Sequence, residues 1–168
     1  MKSSLIASLL FAAGLTFAAS AQADTLAYPS PDKASFVVDY PSSWEMTPGE
    51  AVGDYLTLMS EGGTTLMLRT VPGSEEEVQA AVKGSIEYVQ ESYKDVALSE
   101  PADSTQQGLS GFFTAGTAKD AEIGTVKIGM AWYVLNDGTI GEIWFVGPTD
   151  DADGLSEAGA ILDSFRSP

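Results

Sequence analysis

The strongest structural constraint in the sequence is a turn signal between two long apolar segments. Asn136, Asp137 and Gly138 stand between residues 125–135 and residues 139–146. Residues of these types readily adopt the left-handed backbone conformations that tight hairpin turns require. Both flanking segments are rich in β-branched and aromatic residues, which favour strands. The sequence therefore predicts an antiparallel β-hairpin as a central part of the fold.

Two amphipathic helices are also predicted. Ser74 and Glu77 form a capping box, and apolar residues follow at three- and four-residue intervals over about residues 75–93. The second helix lies near the C-terminus, with Thr149 or Asp150 as its predicted N-cap. Its apolar positions are Leu155, Ala158, Ile161, Leu162 and Phe165.

The other apolar segments are short and are bounded by Pro, Gly and Ser, as is typical of strands. Strands are predicted at residues 36–40, 44–46, 55–60, 64–71, 96–99 and 109–117. Residues 24–33 are predicted to be an extended, partly mobile leader, and the segment up to Gln107 a polar loop. Short connections imply antiparallel pairing, and amphipathic helices need a sheet face to cover. We therefore predict an α+β fold, with an antiparallel sheet of about six to seven strands flanked by two main helices.

The first 23 residues are typical of a bacterial secretory signal peptide. Lys2 supplies the positive charge, residues 5–19 are mostly apolar, and Ala21 and Ala23 provide the small residues of a cleavage site. Cleavage after Ala23 would leave residues 24–168 as a single domain. We expect a Sec-exported protein that is periplasmic or secreted and has no stable membrane insertion after cleavage.

The composition excludes several classes of function. The chain has neither His nor Cys, so it cannot form a Ser-His or Cys-His dyad, a thiolate nucleophile or a disulfide. Its formal net charge of −16 argues against nucleic acid as a partner, because phosphate binding needs clustered Lys and Arg. We therefore predict no cofactor and no enzymatic activity, and a partner with a basic surface would suit the charge.

Two segments resemble a known superfamily. Residues 36–44, an aromatic-rich strand followed by Tyr-Pro and then Trp, and residues 161–166, an apolar pair followed by Asp-Ser-Phe-Arg, are similar to the opening and closing motifs of PsbP-like and DcrB-like proteins. The resemblance implies an α/β/α sandwich. It also implies a non-enzymatic role in docking to other proteins, since the superfamily includes photosynthetic accessory proteins and bacterial envelope proteins. Any His-based metal sites of photosynthetic members cannot carry over, because this chain has no His.

The predicted central hairpin also carries the candidate binding surface. A two-residue loop would place Tyr133 across from Glu142 and near Trp144, whereas a three-residue loop with a bulge would place Trp132 near Glu142 and Trp144. In either register a Trp and a carboxylate share one face. Such a face could line a groove for a ligand or peptide, or could lie in the core under a helix.

Two further sets of residues deserve separate interpretations. Arg69, one of only two arginines, could bind a substrate carboxylate or pair with a nearby acid. Asp150, Asp151 and Asp153 are weak calcium candidates, because the spacing lacks the bidentate Glu of an EF-hand loop. Acids at this position would also suit the start of a helix.

The sequence favours an accessory or adaptor protein that docks to another envelope protein. The alternative is a small-molecule or peptide binder that uses the aromatic hairpin, and a remote alternative is a calcium-binding protein or a carboxylate hydrolase. The sequence gives no prediction of oligomeric state.

Overall fold

An antiparallel sheet of eight strands forms the centre of the structure. The computed structural model describes residues 23–168, so the predicted signal peptide lies outside the described residues apart from Ala23. The strands of the sheet are β3 (Glu45–Thr47), β4 (Leu56–Met59), β5 (Thr65–Val71), β6 (Lys94–Leu98), β7 (Ala102–Gln106), β8 (Leu109–Asp120), β9 (Gly124–Val134) and β10 (Ile140–Pro148). Their order is β3-β4-β5-β10-β9-β8, and β6 and β7 both pair with β8 at the last edge.

The predicted central hairpin is formed by β9 and β10. Val134 pairs with Ile140, and the backbone N–H of Leu135 donates to the carbonyl of Thr139 at 2.9 Å. The three intervening residues form the loop, and Gly138 has a φ of 83°, in the left-handed region. The three-residue loop is therefore the observed one, and it places Glu142 opposite Trp132.

Two helices and a small second sheet cover the two faces of the main sheet. Helix α1 (Glu75–Ser92) lies on one face, over a core that includes Val89, Ile128, Trp132 and Trp144. Helix α2 (Ala152–Ser164) lies on the other face together with β1 (Ala23–Tyr28) and β2 (Phe36–Pro41), which pair with each other. The core on this side includes Phe36, Trp44, Leu66, Ile143, Ile161 and Phe165.

Phe165 and Arg166, which follow α2, contact β2 through backbone and side-chain atoms. Val37 and Arg166 exchange backbone hydrogen bonds of 2.8 and 3.1 Å. The guanidinium of Arg166 donates to the Asp39 carboxylate at 2.8 Å, and this bond lowers the pKa of Asp39. Between these contacts, the Phe165 ring packs against Phe36 with ring centroids 5.1 Å apart. The contacts hold α2 and β2 together on one side of the sheet.

The structure confirms the predicted fold class and both predicted helices, with three local differences. The segment predicted as a mobile leader forms β1 and a short 3-10 helix at Pro31–Lys33. The predicted polar loop contains β7, which turns into β8 through Gln107 and Gly108, both with positive φ. The N-cap of α2 is Asp151, rather than Thr149 or Asp150, because its side chain accepts from the N–H of Gly154.

We predict that Phe165→Ala destabilises the fold by about 3–5 kcal/mol, the usual effect of emptying a buried aromatic site. Phe165 is fully buried and contacts both Phe36 and Tyr133. Phe113→Ala is the matched control, because that ring is 39% exposed and its removal should cost clearly less. Urea denaturation measures both, and equal losses would contradict the assigned packing.

Candidate functional site

A fully buried carboxylate lies between the main sheet and α1. Glu142 occupies the third position of β10, where it pairs with Trp132 on β9 and with Arg69 on β5. Its exposed fraction is 0%. Alternate residues of a strand point to opposite faces, so the register of the β9–β10 hairpin decides that Glu142 and Trp132 share the α1 face.

Four donors surround the Glu142 carboxylate. Its Oε1 accepts from Trp132 Nε1 at 3.0 Å and from Ser85 Oγ at 2.8 Å. Its Oε2 accepts from Tyr55 Oη at 3.0 Å and from Arg69 Nε at 2.5 Å. An ionised carboxylate has about four lone-pair sites, so all of them are used. We refer to these five residues as the Glu142 network.

The network extends through Ser85 to Trp144. The indole Nε1 of Trp144 donates to Ser85 Oγ at 3.1 Å, while the same hydroxyl donates to Glu142. Ser85 is a buried residue in the middle of α1. Tyr88, one turn further along the helix, packs edge-on against Trp144 with ring centroids 5.5 Å apart. Polar contacts from one helical residue thus position α1 over β10.

Arg69 and Tyr55 form the outer side of the network. The Arg69 guanidinium carbon lies 4.4 Å from the centre of the Tyr55 ring, close enough for a cation–π interaction. Burial raises the pKa of the Tyr55 hydroxyl above its usual value, and the negative charge of Glu142 raises it further. Tyr55 therefore stays protonated and serves as a hydrogen-bond donor.

The structure brings together four of the five residues predicted as a binding surface and separates the fifth. Trp132 and Glu142 are buried in the network, Trp144 is buried beside it, and Arg69 is 27% exposed at its rim. Tyr133 lies on the opposite face, where its hydroxyl is 3.1 Å from Ser104 Oγ. The alternation along β9 explains the separation, and the role of these residues in binding stays a prediction.

Sequence reasoning missed Tyr55 and Ser85. Ser85 is a polar residue within the apolar stripe of α1, and such an interruption is the signal that could have identified a buried hydrogen-bonding partner. Tyr55 directly precedes β4, so its position beside Glu142 depends on the pairing of β4 with β5. No short-range pattern in the sequence carries that information.

A groove of about 420 Å³ opens beside the network, between α1 and β5. We call it the Arg69 groove. Its lining consists of Tyr55, Met67, Arg69, Ala80, Ala81, Gly84, Ser85, Tyr88 and Trp144. The aromatic hairpin is thus mostly covered, but one concavity lies next to Trp144.

The predicted calcium candidates begin the second helix. The Asp151 carboxylate accepts from Thr64 Oγ1 at 2.6 Å, Ser60 Oγ at 2.9 Å and the Gly154 N–H at 3.1 Å. These hydrogen bonds lower the pKa of Asp151, and the bond from Thr64 has the largest effect. Asp150 and Asp153 belong to the same turn, but within residues 23–168 no three acidic side chains are grouped to hold a metal ion. Asp151 thus acts as a helix cap that joins α2 to the start of β5.

Comparisons with known proteins rest on structure alone, since no family model and no curated protein sequence matches the chain. Cyanobacterial PsbP (CyanoP) from Synechocystis sp. PCC 6803 superposes with a TM-score of 0.60 and 10% identity, over 96% of this chain and 98% of that one. LpqN, involved in cell envelope biogenesis of Mycobacterium tuberculosis, superposes with a TM-score of 0.57 and 12% identity, over 88% of this chain and 91% of that one. The chain has a PsbP-like fold. At these identities the likeness establishes the architecture and nothing about activity.

Within residues 23–168, no helix of this PsbP-like fold has the length and apolar character needed to cross a membrane.

We predict that Glu142→Gln lowers the free energy of unfolding by about 3–5 kcal/mol, as expected when one partner of a buried ion pair is removed. The Gln amide would present a donor to groups that are themselves donors. Glu157→Gln is the matched control, because Glu157 accepts only one side-chain hydrogen bond, from Trp44 Nε1 at 2.7 Å. Chemical denaturation that finds equal losses for the two variants would contradict a structural role for Glu142.

Asp151 should contribute to acid sensitivity. Its pKa is lower in the fold than the ordinary value of 3.8, so the ionised form stabilises the fold above that value. This contribution is lost as the pH falls through the folded-state pKa. We expect Asp151→Asn to lower the melting temperature at about pH 7. Between about pH 5 and pH 2 the melting temperature of this variant should decrease less than that of the native chain. Asp153→Asn, at an exposed position, is the control, and an identical pH profile for the Asp151 variant and the native chain would refute the assignment.

Proposed function

We propose that the protein is a non-enzymatic accessory protein of the cell envelope that docks to another envelope protein. The signal-peptide prediction supports an extracytoplasmic location. The PsbP-like fold supports an accessory role by analogy, since one similar structure belongs to a protein involved in envelope biogenesis.

The internal use of the polar residues supports a non-enzymatic role. Among the buried side chains of residues 23–168, Glu142 is the only charged one, and both of its oxygens are saturated by donors from the protein itself. A carboxylate in this state has no lone pair available to accept a substrate proton. With no His or Cys in the chain, the exposed surface is the better candidate for function.

The docking proposal rests on one observation, an open apolar groove on α1. Val78, Val82 and Ile86 recur every four residues along the helix and are only half-buried. They face Phe112 of β8 across an opening of about 600 Å³, which we call the Phe112 groove. The main sheet covers this part of the apolar stripe only in part. Partly exposed apolar stripes on helices are typical of protein interfaces.

The charge of the chain indicates the kind of partner. The net charge of −16 would repel an acidic surface and steer a basic one towards the protein. We therefore propose a partner whose apolar ridge binds in the Phe112 groove and whose surface around that ridge is basic. Its association should weaken as the salt concentration rises, because exposed charges are screened.

A second candidate function, the binding of a small molecule or peptide, is favoured by the Arg69 groove beside Trp144. The calcium and hydrolase alternatives gain no such support, because Asp151 is engaged as a helix cap and Glu142 is saturated.

We predict that Val82→Asp abolishes recovery of the partner after cross-linking in intact cells, because a buried charge would enter the Phe112 groove. Val52→Asp adds the same charge at a position that is 76% exposed and should leave recovery unchanged. Quantitative mass spectrometry of cross-linked complexes measures the effect, and thermal melting checks that both variants fold.

Equal recovery with both Asp variants would exclude the Phe112 groove as the docking site. The absence of any reproducible cross-linked partner of the native chain would count against the accessory role itself.

A further inference from the structure

Arg69 has binding capacity that the protein does not use. Only its Nε takes part in the Glu142 network, and within residues 23–168 no protein group accepts a hydrogen bond from either terminal nitrogen. The Arg69 side chain lines the Arg69 groove, and 27% of its surface is exposed. The Nε contact and the Tyr55 ring fix the plane of the guanidinium. A fixed guanidinium with two unoccupied nitrogens suits a bidentate contact with a carboxylate.

The groove is kept open by small residues of α1. Ala80, Ala81 and Gly84 line its helical side together with Ser85 and Tyr88. A Cβ atom placed on Gly84 would meet nothing within 4 Å, so close packing does not require a glycine there. Glycine within a helix costs about 1 kcal/mol relative to alanine. Gly84 thus leaves open space on this side of the groove.

The charge inside the groove differs in sign from the charge of the chain. The protein has 24 acidic residues, yet in the part of the chain that the structure describes none of them lines the groove, and Arg69 is the single charged residue there. The adjacent Glu142 is fully buried behind its four donors. Met67, Tyr88 and Trp144 supply the apolar part of the lining. One cation within an aromatic wall is the chemistry that recognises an amphipathic anion.

We propose that the Arg69 groove binds a small organic carboxylate that carries an aromatic or similarly flat apolar group. The carboxylate pairs with the terminal nitrogens of Arg69, and the apolar group lies against Tyr88 and Trp144. A volume of about 420 Å³ accommodates a molecule of this size. The inference rests on the second candidate function and names its ligand class. It is independent of the docking proposal, since the Phe112 groove has a separate set of lining residues.

The test compares 3-phenylpropionate with 3-phenylpropionamide by isothermal titration calorimetry on the full folded protein. The two probes share the apolar group, and only the first carries a carboxylate. We expect the acid to bind at least about tenfold more tightly than the amide, the usual effect of charge-assisted hydrogen bonds. Quenching or a shift of tryptophan fluorescence should accompany binding, because Trp144 lines the groove. No binding of the acid, or equal binding of both probes, would overturn the proposal.

The location is tested with Gly84→Leu. The new side chain should fill the groove and abolish binding of the acid, while the melting temperature rises because leucine favours the helix. Gly159→Leu is the matched control, since Gly159 is an exposed glycine of α2 whose added Cβ also meets nothing within 4 Å. This control should also raise the melting temperature and leave binding intact. Undiminished binding in Gly84→Leu would place the site elsewhere and overturn the proposal.

The role of the guanidinium is tested with Arg69→Lys, which keeps a positive charge near Glu142 but loses the planar pair of nitrogens. We expect affinity for the acid to fall about tenfold and affinity for the amide to stay unchanged. Equal loss for both probes would show that the variant altered the groove as a whole and would contradict direct recognition. Because Gly84→Leu leaves Arg69 and Glu142 in place, it decides the question even if the Arg69 variant fails to fold.

Discussion

The buried charge of Glu142 is the constraint on which the α1 side of the molecule depends. An unpaired carboxylate in an apolar interior would cost several kcal/mol, so its donors must all be in place when the fold forms. Those donors come from four separate parts of the chain: the residue before β4, then β5, α1 and β9. A shift of β9 against β10 by one residue would remove Trp132 from the network. The network therefore specifies both the register of the sheet and the position of α1 on it.

The two faces of the sheet are stabilised in different ways. On the α2 side, apolar residues and the contacts of Arg166 with β2 close the layer. On the α1 side, Ser85 and Val89 are the buried residues of the helix, and two grooves remain open along it. The Glu142 network positions the helix on this side in addition to an apolar core, and the helix leaves part of its apolar surface open. Both proposed binding sites lie on this side.

The sequence predicted the elements whose signals are local. The Asn-Asp-Gly turn, the capping box before α1 and the apolar stripe of α2 each lie within a short stretch of chain, and all three correspond to observed structure. Strand β7, with the sequence Ala-Asp-Ser-Thr-Gln, was missed because it has no apolar alternation and depends on pairing with β8. Strand β1 was missed because its pairing with β2 crosses an intervening pair of prolines.

The candidate site was predictable only in part, for a similar reason. Arg69, Trp132, Glu142 and Trp144 could be identified as unusual residues, but the number of residues in one turn decides which of them share a face. A position in the core under a helix was one of the two predicted alternatives for Glu142. The sequence could not identify the donors that make this burial possible, because Ser85 and Tyr55 lie 57 and 87 positions away along the chain.

The distribution of the three tryptophans gives each layer of the molecule its own optical reporter. Trp132 and Trp144 lie under α1, whereas Trp44 belongs to the opposite core and bonds to Glu157 of α2. All three indoles are buried, so each changes its emission when its own layer is exposed to water. Replacing Trp44 alone would leave the two tryptophans under α1 as reporters, so the loosening of that helix could be followed by fluorescence in real time.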